Sequence, residues 1–307
     1  MSHDARSADP LRFGAEGPSA PASILSAADS FRVRVVTPDG CAEARAFSRH
    51  LARFTAAVGA AVDERGADRA ILEELPAFLS GARRAIARAG EGFPRLELWD
   101  RGDGPEPGAL GASADGWPRA GRFAFGLALR PLPALSDTVH LRSAPGVRLA
   151  QARRKGPNIA RLASLGTELG AEALLLTDDG QVLEGGSTSL LWWDGDVLCR
   201  VAVDWRVPSV VEALLTEAAG EQGRQTRAAT ASATELQSRE VWAVNALHGL
   251  RVVASIDGVR LPDPDPARLA AFRAALDATW EPVDPPGAPS ETGEYSEGAA
   301  PPSPEAT

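Results

Sequence analysis

The sequence predicts a mixed α/β protein of two domains, in which amphipathic helices and antiparallel hairpins occur in the same chain. Apolar residues recur at helical spacing through residues 43–62. Asp-Gly turn signals separate short apolar runs at 178–180, 194–195 and 257–258, which is typical of hairpins. Because these hairpins do not form a regular strand–helix–strand series, we do not expect a doubly wound parallel sheet.

Four segments follow from length and composition. A length of 307 residues favours about two domains. Residues 1–22 and 282–307 are rich in Pro, Gly and Ser and have little to bury, so we expect both to be disordered. Between them we predict a small α/β domain at 23–130 and a larger domain at 131–281, which meet at a Pro-rich linker.

Individual elements are predicted from periodicity, turn residues and caps. Proline in the first turn favours helices at 157–169 and 207–219, and the Ser232–Glu235 pattern is a capping box. The further helices are predicted at 43–62, at 67–89 with an interruption near Pro76, and at 266–280. Strands are predicted at 31–36, 95–99, 122–129, 138–142, 147–150, 173–177, 181–184, 189–193, 196–199, 240–244, 252–256 and 259–261.

Composition excludes several classes of function. The net charge of −9 argues against nucleic-acid binding, because no basic tract could neutralise phosphates. Two cysteines fit a reducing compartment, and the four scattered histidines give no metal-ligand spacing. No apolar run reaches 18 residues and the N-terminal segment does not resemble a signal peptide, so we expect no membrane partner and a cytoplasmic location.

Lys155 is the only lysine in the chain, whereas the other 31 basic residues are arginines (32 Lys plus Arg, less one). Arginine stays protonated near neutral pH, but a buried lysine can act as a nucleophilic amine and form a Schiff base. The alternative interpretation is a compositional bias toward arginine. Lys155 follows a predicted strand and precedes a predicted helix, a position that commonly presents side chains to a site.

Three further features suit a cofactor that carries a phosphate. Glu184 precedes two glycines and the hydroxyl residues Ser187, Thr188 and Ser189. The helix predicted to begin at Val207 offers free N–H groups at its N-terminus, and Arg53 could supply a fixed cation. Taken singly, these could be a plain turn, an ordinary helix end and a solvated arginine. Together with a lysine amine, they are the parts that a pyridoxal phosphate enzyme needs.

The order of these motifs resembles the class IV aminotransferases, the fold-type IV group of pyridoxal phosphate enzymes. This family includes branched-chain and D-amino acid aminotransferases and aminodeoxychorismate lyases. The resemblance spans about residues 28–280 and includes the family's Lys-x-x-Asn, Asp-Glu-Ala-Leu-Leu-Leu, Val-x-Glu-Gly and His-x-x-Arg-Leu patterns. In this chain they stand as Lys155-Gly156-Pro157-Asn158, Ala171-Glu172-Ala173-Leu174-Leu175-Leu176, Val182-Leu183-Glu184-Gly185 and His50-Leu51-Ala52-Arg53-Phe54, with Asn245-Ala246-Leu247 in a later family segment.

The resemblance implies a D-amino acid aminotransferase-like fold, with a small N-terminal domain and a larger hairpin-rich pseudo-barrel. It also implies a homodimer that acts on amino and keto acids, with Lys155 as the Schiff-base lysine and Glu184 beside the pyridine nitrogen. The further residues that it implies are Arg53, Ser209, Val210 and Ala246 near the phosphate, Val207 on the ring, and Arg130, Ser187 and Asn245 toward the substrate.

Two alternatives stay open, one from departures from the family pattern and one from the range of activities in the family. Val211 stands where members often have threonine, and Glu212 stands where they often have arginine, so the phosphate would depend on backbone amides and Arg53. A non-catalytic family member is therefore one alternative to an aminotransferase. The other is a 4-amino-4-deoxychorismate lyase that releases pyruvate and 4-aminobenzoate.

Overall fold

The computed structural model describes residues 23–36, 40–66, 69–102, 111–112 and 118–284, with only the backbone described at 111–112 and 118–120. The predicted disordered segment 1–22 and the predicted tail beyond residue 284 lie outside these residues. Within the predicted tail, however, Pro282 belongs to a strand and Val283 is fully buried, so the expectation of disorder is wrong for residues 282–284. Among all the residues that the structure describes, no helix has the length and apolar character needed to cross a membrane.

The first part of the described chain forms a five-stranded antiparallel sheet, in the order β1-β4-β7-β6-β5, that packs against two helices. Its elements are β1 Ile24–Ser30, β2 Val33–Val36, β3 Cys41–Arg45, α1 Phe47–Arg65, α2 Ala70–Ala89, β4 Arg95–Asp100, β5 Gly111–Ala112, β6 Pro118–Ala120 and β7 Phe123–Ala128. Aromatic rings from both helices and from β7 fill the core, and the rings of Phe78 and Phe125 stack with centroids 4.5 Å apart. Helical spacing places the apolar residues of α1 and α2 on this core.

The second part is built on a mixed nine-stranded sheet that curls into a half-barrel. Its elements are β8 Thr138–Ala144, α3 Ile159–Leu169, β9 Glu172–Leu176, β10 Val182–Gly185, β11 Ser189–Asp194, β12 Val197–Val201, α4 Val210–Glu221, β13 Thr226–Ala229, α5 Ala233–Leu236, β14 Val241–Asn245, β15 Gly249–Ile256, β16 Val259–Arg260, α6 Pro266–Asp277 and β17 Trp280–Pro282. The order is β10-β9-β8-β15-β14-β11-β12-β13, with β16 on β15, while β17 joins β3 and β2. The predicted fold class is confirmed.

Central strands of the large sheet are apolar on both faces because each face is covered. In β11, Leu191 and Trp193 point to the core beneath α4 and α6, whereas Leu190 and Trp192 point to the opposite core. This alternation follows from the two-residue period of a strand. The edge-to-face packing of Trp193, Trp242 and Phe272 fills the helix-covered side.

Several sequence-based boundaries are wrong. Residues 43–45 belong to β3 rather than to the first helix, and α2 runs through Pro76 without a break. Residues 147–150 form no strand, and the helix predicted from 207 begins only at Val210, so Pro208 precedes its N-cap Ser209. The last helix ends at Asp277, because Trp280 opens β17.

The two parts of the chain meet where β1 contacts the segment that carries Lys155. The Ala28 N–H donates to the Lys155 carbonyl at 2.7 Å, and Arg154 Nε donates to the Ser26 carbonyl at 2.7 Å. Between them, Gly156 has a φ of +139°, and a Cβ there would stand 3.0 Å from the Ala27 Cα. Glycine permits both the φ angle and this approach, which fixes Lys155 at the junction.

Candidate active site

A cavity of about 450 Å³ lies at this junction. This volume is typical of a site for a small ligand. All ten residues that the sequence singled out line it, namely Arg53, Arg130, Lys155, Glu184, Ser187, Val207, Ser209, Val210, Asn245 and Ala246. They come from both parts of the chain, so the fold brings the predicted residues together, while the role of each remains a prediction.

Lys155 presents its amine to the cavity. No hydrogen bond or ion pair joins this amine to another residue of the described chain, which leaves it free to react. Burial, together with the nearby Arg53 cation, lowers the pKa of Lys155 from 10.5 to about 8. A substantial fraction of the amine is therefore neutral near pH 8, and a nucleophile or base must be neutral to act.

Glu184, the third residue of β10, is a buried acid on the cavity wall. Its carboxylate has no hydrogen-bond partner among the described residues. Burial raises the pKa of Glu184 to about 7, although Arg206 opposes the shift. A buried carboxylate without a partner is costly, so Glu184 is suited to a ligand that brings a donor.

Glu212, one of the two departures from the family pattern, lies behind Glu184 in a buried ion pair. Arg206 donates to its two oxygens at 2.6 and 2.5 Å, and the side chains are only 7% and 10% exposed. Val211 packs into the core beneath α4 as well as lining the cavity. Glu212 itself does not line the cavity, so its negative charge is paired with Arg206 away from the cavity wall.

Arg53 on α1 reaches across to the start of α4. Its Nη1 donates to the Pro208 carbonyl at 2.9 Å, directly before the N-cap Ser209. The Ser209 hydroxyl accepts from the Glu212 N–H, while the N–H groups of Val210 and Val211 have no acceptor within the helix. A guanidinium and a helix N-terminus thus converge at one end of the cavity, an arrangement that favours an anion.

Arg130 stands on another part of the cavity wall. Its Nε donates to the Phe93 carbonyl at 3.0 Å and its Nη2 to the Ser30 hydroxyl at 3.2 Å. No carboxylate of the described chain pairs with it. Burial and the neighbouring Arg95 lower the pKa of Arg130 to about 10. Arg130 is therefore a half-buried cation with unfilled capacity to bind an anion.

Ser187 belongs to a tight loop that is held by Glu172. One carboxylate oxygen of Glu172 accepts hydrogen bonds from the Ser187 N–H, the Ser187 hydroxyl and the Thr188 hydroxyl at 3.0, 3.0 and 2.8 Å. The other oxygen pairs with Arg251 at 2.7 Å. A Cβ at Gly185 would stand 2.2 Å from the Thr188 hydroxyl, so only glycine fits there. The Ser187 hydroxyl is thus already donating to a protein group.

Asn245 shapes the turn that closes the cavity beside the small sheet. Its side-chain oxygen accepts hydrogen bonds from the N–H groups of Leu247 and His248 at 3.1 and 2.8 Å. The Ala246 carbonyl accepts from the Arg32 N–H at 3.1 Å. Val207 also lines the cavity, and it lies shortly before the start of α4 in the sequence. The Asn245 oxygen therefore holds the backbone and is not available to a ligand.

Sequence reasoning missed Asp29, which binds Arg53 and His50 from outside the cavity wall. A signal for it exists, since Asp29 is the only charged residue in β1 and aspartate is rarely buried without a partner. Arg206 was missed as well, because nothing near it in the sequence distinguishes it from the other arginines.

The family model for class IV amino-transferases matches residues 42–256. This match covers more than half of the chain. The chain belongs to the class IV aminotransferase family. The family resemblance of the sequence motifs is confirmed, and with it the expectation of an aminotransferase from a family of pyridoxal phosphate enzymes. No curated protein sequence matches this class IV chain significantly.

Solved aminotransferases share the fold at low sequence identity. The branched-chain aminotransferase of Thermoproteus uzoniensis with norvaline has a TM-score of 0.64 and 17% identity, covering 85% of this chain and 90% of that one. The branched-chain amino acid aminotransferase of Escherichia coli has a TM-score of 0.62 and 17% identity over 85% and 90%. A hypothetical aminotransferase from Mycobacterium tuberculosis in its PLP-bound form has a TM-score of 0.61 and 20% identity over 82% and 88%.

Proposed function

We propose that this class IV family member is an active pyridoxal phosphate-dependent aminotransferase that moves an amino group from an amino acid to a keto acid. The observation that carries the proposal is the convergence of three groups on one cavity. They are the Lys155 amine and the Glu184 carboxylate, which have no partner among the described residues, and the fixed Arg53 guanidinium. The charge or pKa of each group suits one part of the cofactor: Lys155 its attachment, Glu184 the ring nitrogen and Arg53 the phosphate.

Glu184 would hold a proton at the ring nitrogen of the cofactor. Its pKa of about 7 reflects burial without a donor, and a protonated ring nitrogen would supply that donor as a charge-assisted hydrogen bond. Bound pyridoxal phosphate supplies an electron sink for negative charge on the substrate carbon. The Glu184 carboxylate would keep the ring nitrogen protonated, the form in which this sink is effective.

Lys155 would attach the cofactor through its amine and, once released by the incoming amino acid, would move a proton at the substrate carbon. Both tasks need a neutral amine for part of the cycle, which a pKa of about 8 permits. Because the amine has no other partner in the described chain, no protein ion pair must break first.

The phosphate would lie at the start of α4. Arg53 would supply the cation, and the backbone N–H groups at Val210 and Val211 would donate hydrogen bonds beside the hydroxyl of the N-cap Ser209. Val211 offers no hydroxyl, so this subsite relies on backbone groups more than the family pattern does. Val207 would pack against the ring, and Ala246 would close the phosphate end.

Arg130 would bind the carboxylate of the amino or keto acid. It is the cavity arginine that has neither a carboxylate partner in the described chain nor a contact with the phosphate subsite. Ser187 and Asn245 would shape the substrate side of the cavity through the loops that they hold. Their side-chain oxygens already bond to protein groups.

The test is the absorbance spectrum of the purified protein with pyridoxal phosphate, before and after addition of single amino acids. We expect the band of the lysine-bound cofactor to form and then to convert to that of the pyridoxamine form with at least one amino acid. Lys155→Ala should abolish the band. Arg153→Ala is the matched control, because Arg153 is an exposed neighbour that does not line the cavity.

The alternatives give different outcomes. A protein that never forms the band would be a non-catalytic family member. Pyruvate release from aminodeoxychorismate without a keto acid would indicate the lyase. We also infer a homodimer on the basis of the family, and a cytoplasmic location on the basis of the two cysteines, which fit a reducing compartment. Light scattering of the purified protein at twice the 32.1 kDa chain mass would support the dimer.

A further inference from the structure

Asp29 is a charged side chain that no part of the proposed chemistry uses. It lies near the end of β1, has 0% exposure and does not belong to the cavity wall. Removing a carboxylate from water is costly unless it is paired and hydrogen-bonded. Its partners should therefore explain why the residue is there.

Two residues of α1 hold Asp29. Arg53 donates from Nε to Oδ2 at 2.7 Å and from Nη2 to Oδ1 at 2.8 Å, and the His50 ring lies with Nδ1 2.8 Å from Oδ1. Burial alone would raise the pKa of Asp29, but Arg53 and His50 outweigh it and hold the pKa well below its usual range. Burial lowers the pKa of His50 despite Asp29. A neutral His50 therefore donates its Nδ1 proton to the carboxylate.

Arg53 is consequently fixed on three sides. Asp29 occupies its Nε and Nη2, while Nη1 donates to the Pro208 carbonyl at the start of α4. One turn earlier on α1, Arg49 pairs with Glu217 at the surface with 44% exposure, whereas Arg53 is 16% exposed. A free arginine side chain loses rotamer freedom when it binds a ligand, and the fork formed with Asp29 removes that freedom before a ligand binds.

We propose that Asp29 is a positioning residue that aligns Arg53 with the N-terminus of α4 and so determines the preference of the cavity for a phosphorylated cofactor. It acts without touching the ligand, and His50 orients it. Since Asp29 neutralises much of the Arg53 charge, the pair contributes geometry and directed N–H groups more than long-range attraction. This inference rests on the proposed function, because it assumes that the phosphate lies between Arg53 and α4.

The experiment compares two ligands that differ only in the phosphate. The dissociation constants of pyridoxamine 5'-phosphate and of pyridoxamine are measured by calorimetry for the full chain and for Asp29→Asn. We expect the variant to bind pyridoxamine 5'-phosphate about 10- to 100-fold more weakly, the range for a hydrogen bond to a charged group. Pyridoxamine should bind within about twofold of the parent protein, because it lacks the group that Arg53 contacts.

Asp100→Asn is the matched control. Asp100 is also a buried acid that binds arginines, at 2.8 Å from Arg122 and 3.0 Å from Arg65, yet it does not line the cavity. This variant should lose stability and keep the phosphate preference. If Asp29→Asn weakens both ligands equally, or weakens neither, Asp29 has only a structural role and the inference is wrong.

A second pair of variants covers the case in which Asp29→Asn does not fold. His50→Asn keeps a donor near the position of Nδ1, and His50→Leu removes it. The inference requires His50→Leu to lower the phosphate preference more than His50→Asn, and equal effects overturn it. Failure of the proposed function looks different, because the parent protein itself would then show no preference for pyridoxamine 5'-phosphate.

Discussion

Arg206 and Glu212 form a bidentate ion pair directly behind Glu184, with both side chains about nine-tenths buried. Removing one partner from such a pair leaves an uncompensated buried charge, which costs about 3 to 5 kcal/mol. We therefore expect Glu212→Gln to lower the free energy of unfolding by an amount in that range, as measured by urea denaturation.

The control for this prediction is a surface pair. Arg148 and Asp178 lie 2.7 Å apart with 78% and 69% exposure. An exposed pair contributes roughly 0 to 1 kcal/mol, so Asp178→Asn should change stability little. Equal effects of the two substitutions would contradict the assignment of Arg206 and Glu212 as a buried pair that the fold requires.

Lys155 should react as an amine at lower pH than an ordinary lysine. Burial and Arg53 lower its pKa to about 8, so the neutral form is gained as pH rises through about 8 rather than through about 10.4. We expect acylation of Lys155, followed by peptide mass spectrometry, to show a midpoint near pH 8 in the folded protein. The unfolded protein in urea should show a midpoint near 10.

The same depressed pKa has a consequence for stability. Between the folded pKa near 8 and the unfolded value near 10.4, the unfolded state binds more protons at this residue, so stability should rise with pH across that window. Lys155→Met removes the titrating group, and this part of the rise should vanish. A folded-state acylation midpoint near 10 would rule out both expectations.

Gly185, the last residue of β10, and Gly186, the first residue after it, offer a matched comparison. A Cβ at Gly185 would lie 2.2 Å from the Thr188 hydroxyl and 2.9 Å from Glu172, while at Gly186 the nearest atom is 3.6 Å away. Overpacking of this kind costs roughly 1 to 3 kcal/mol. We expect Gly185→Ala to lower the thermal midpoint clearly and Gly186→Ala to leave it nearly unchanged. The reverse order would show that the loop is not held by Glu172.

Arg130 should determine the affinity for the substrate carboxylate. Losing a hydrogen bond to a charged group costs about 1.5 to 3 kcal/mol, so Arg130→Met should lower kcat/KM about 10- to 100-fold, chiefly through KM. Cofactor binding should not change. The exposed Arg148→Met serves as the control, and a loss of kcat with unchanged KM would exclude this role.

Much of the fold was predictable where local patterns decide it. The capping box at Ser232 is formed, and the hairpins at Asp-Gly turns occur where the sequence indicated them. Local sequence patterns gave wrong elements where contacts with distant residues determine the secondary structure. The strand β3 pairs with β17 from the far end of the chain, and Pro76 remains within α2 because it lies on the exposed side of a helix whose other face is buried.

For the site, the sequence by itself was enough to identify which side chains are the candidates for reaction and cofactor binding. Lys155, Glu184 and Arg53 stand in motifs whose order and spacing identify the family. Only the tertiary structure decided how those side chains are charged and held. Asp29 stands out locally only as the one charged residue of β1, and Arg206 carries no local signal. Neither shows its partner in the sequence, because a buried charge is stabilised by whichever opposite charge the fold brings near it. The raised pKa of Glu184 and the lowered pKa of Lys155 likewise follow from burial, which arises when the two halves of the chain meet.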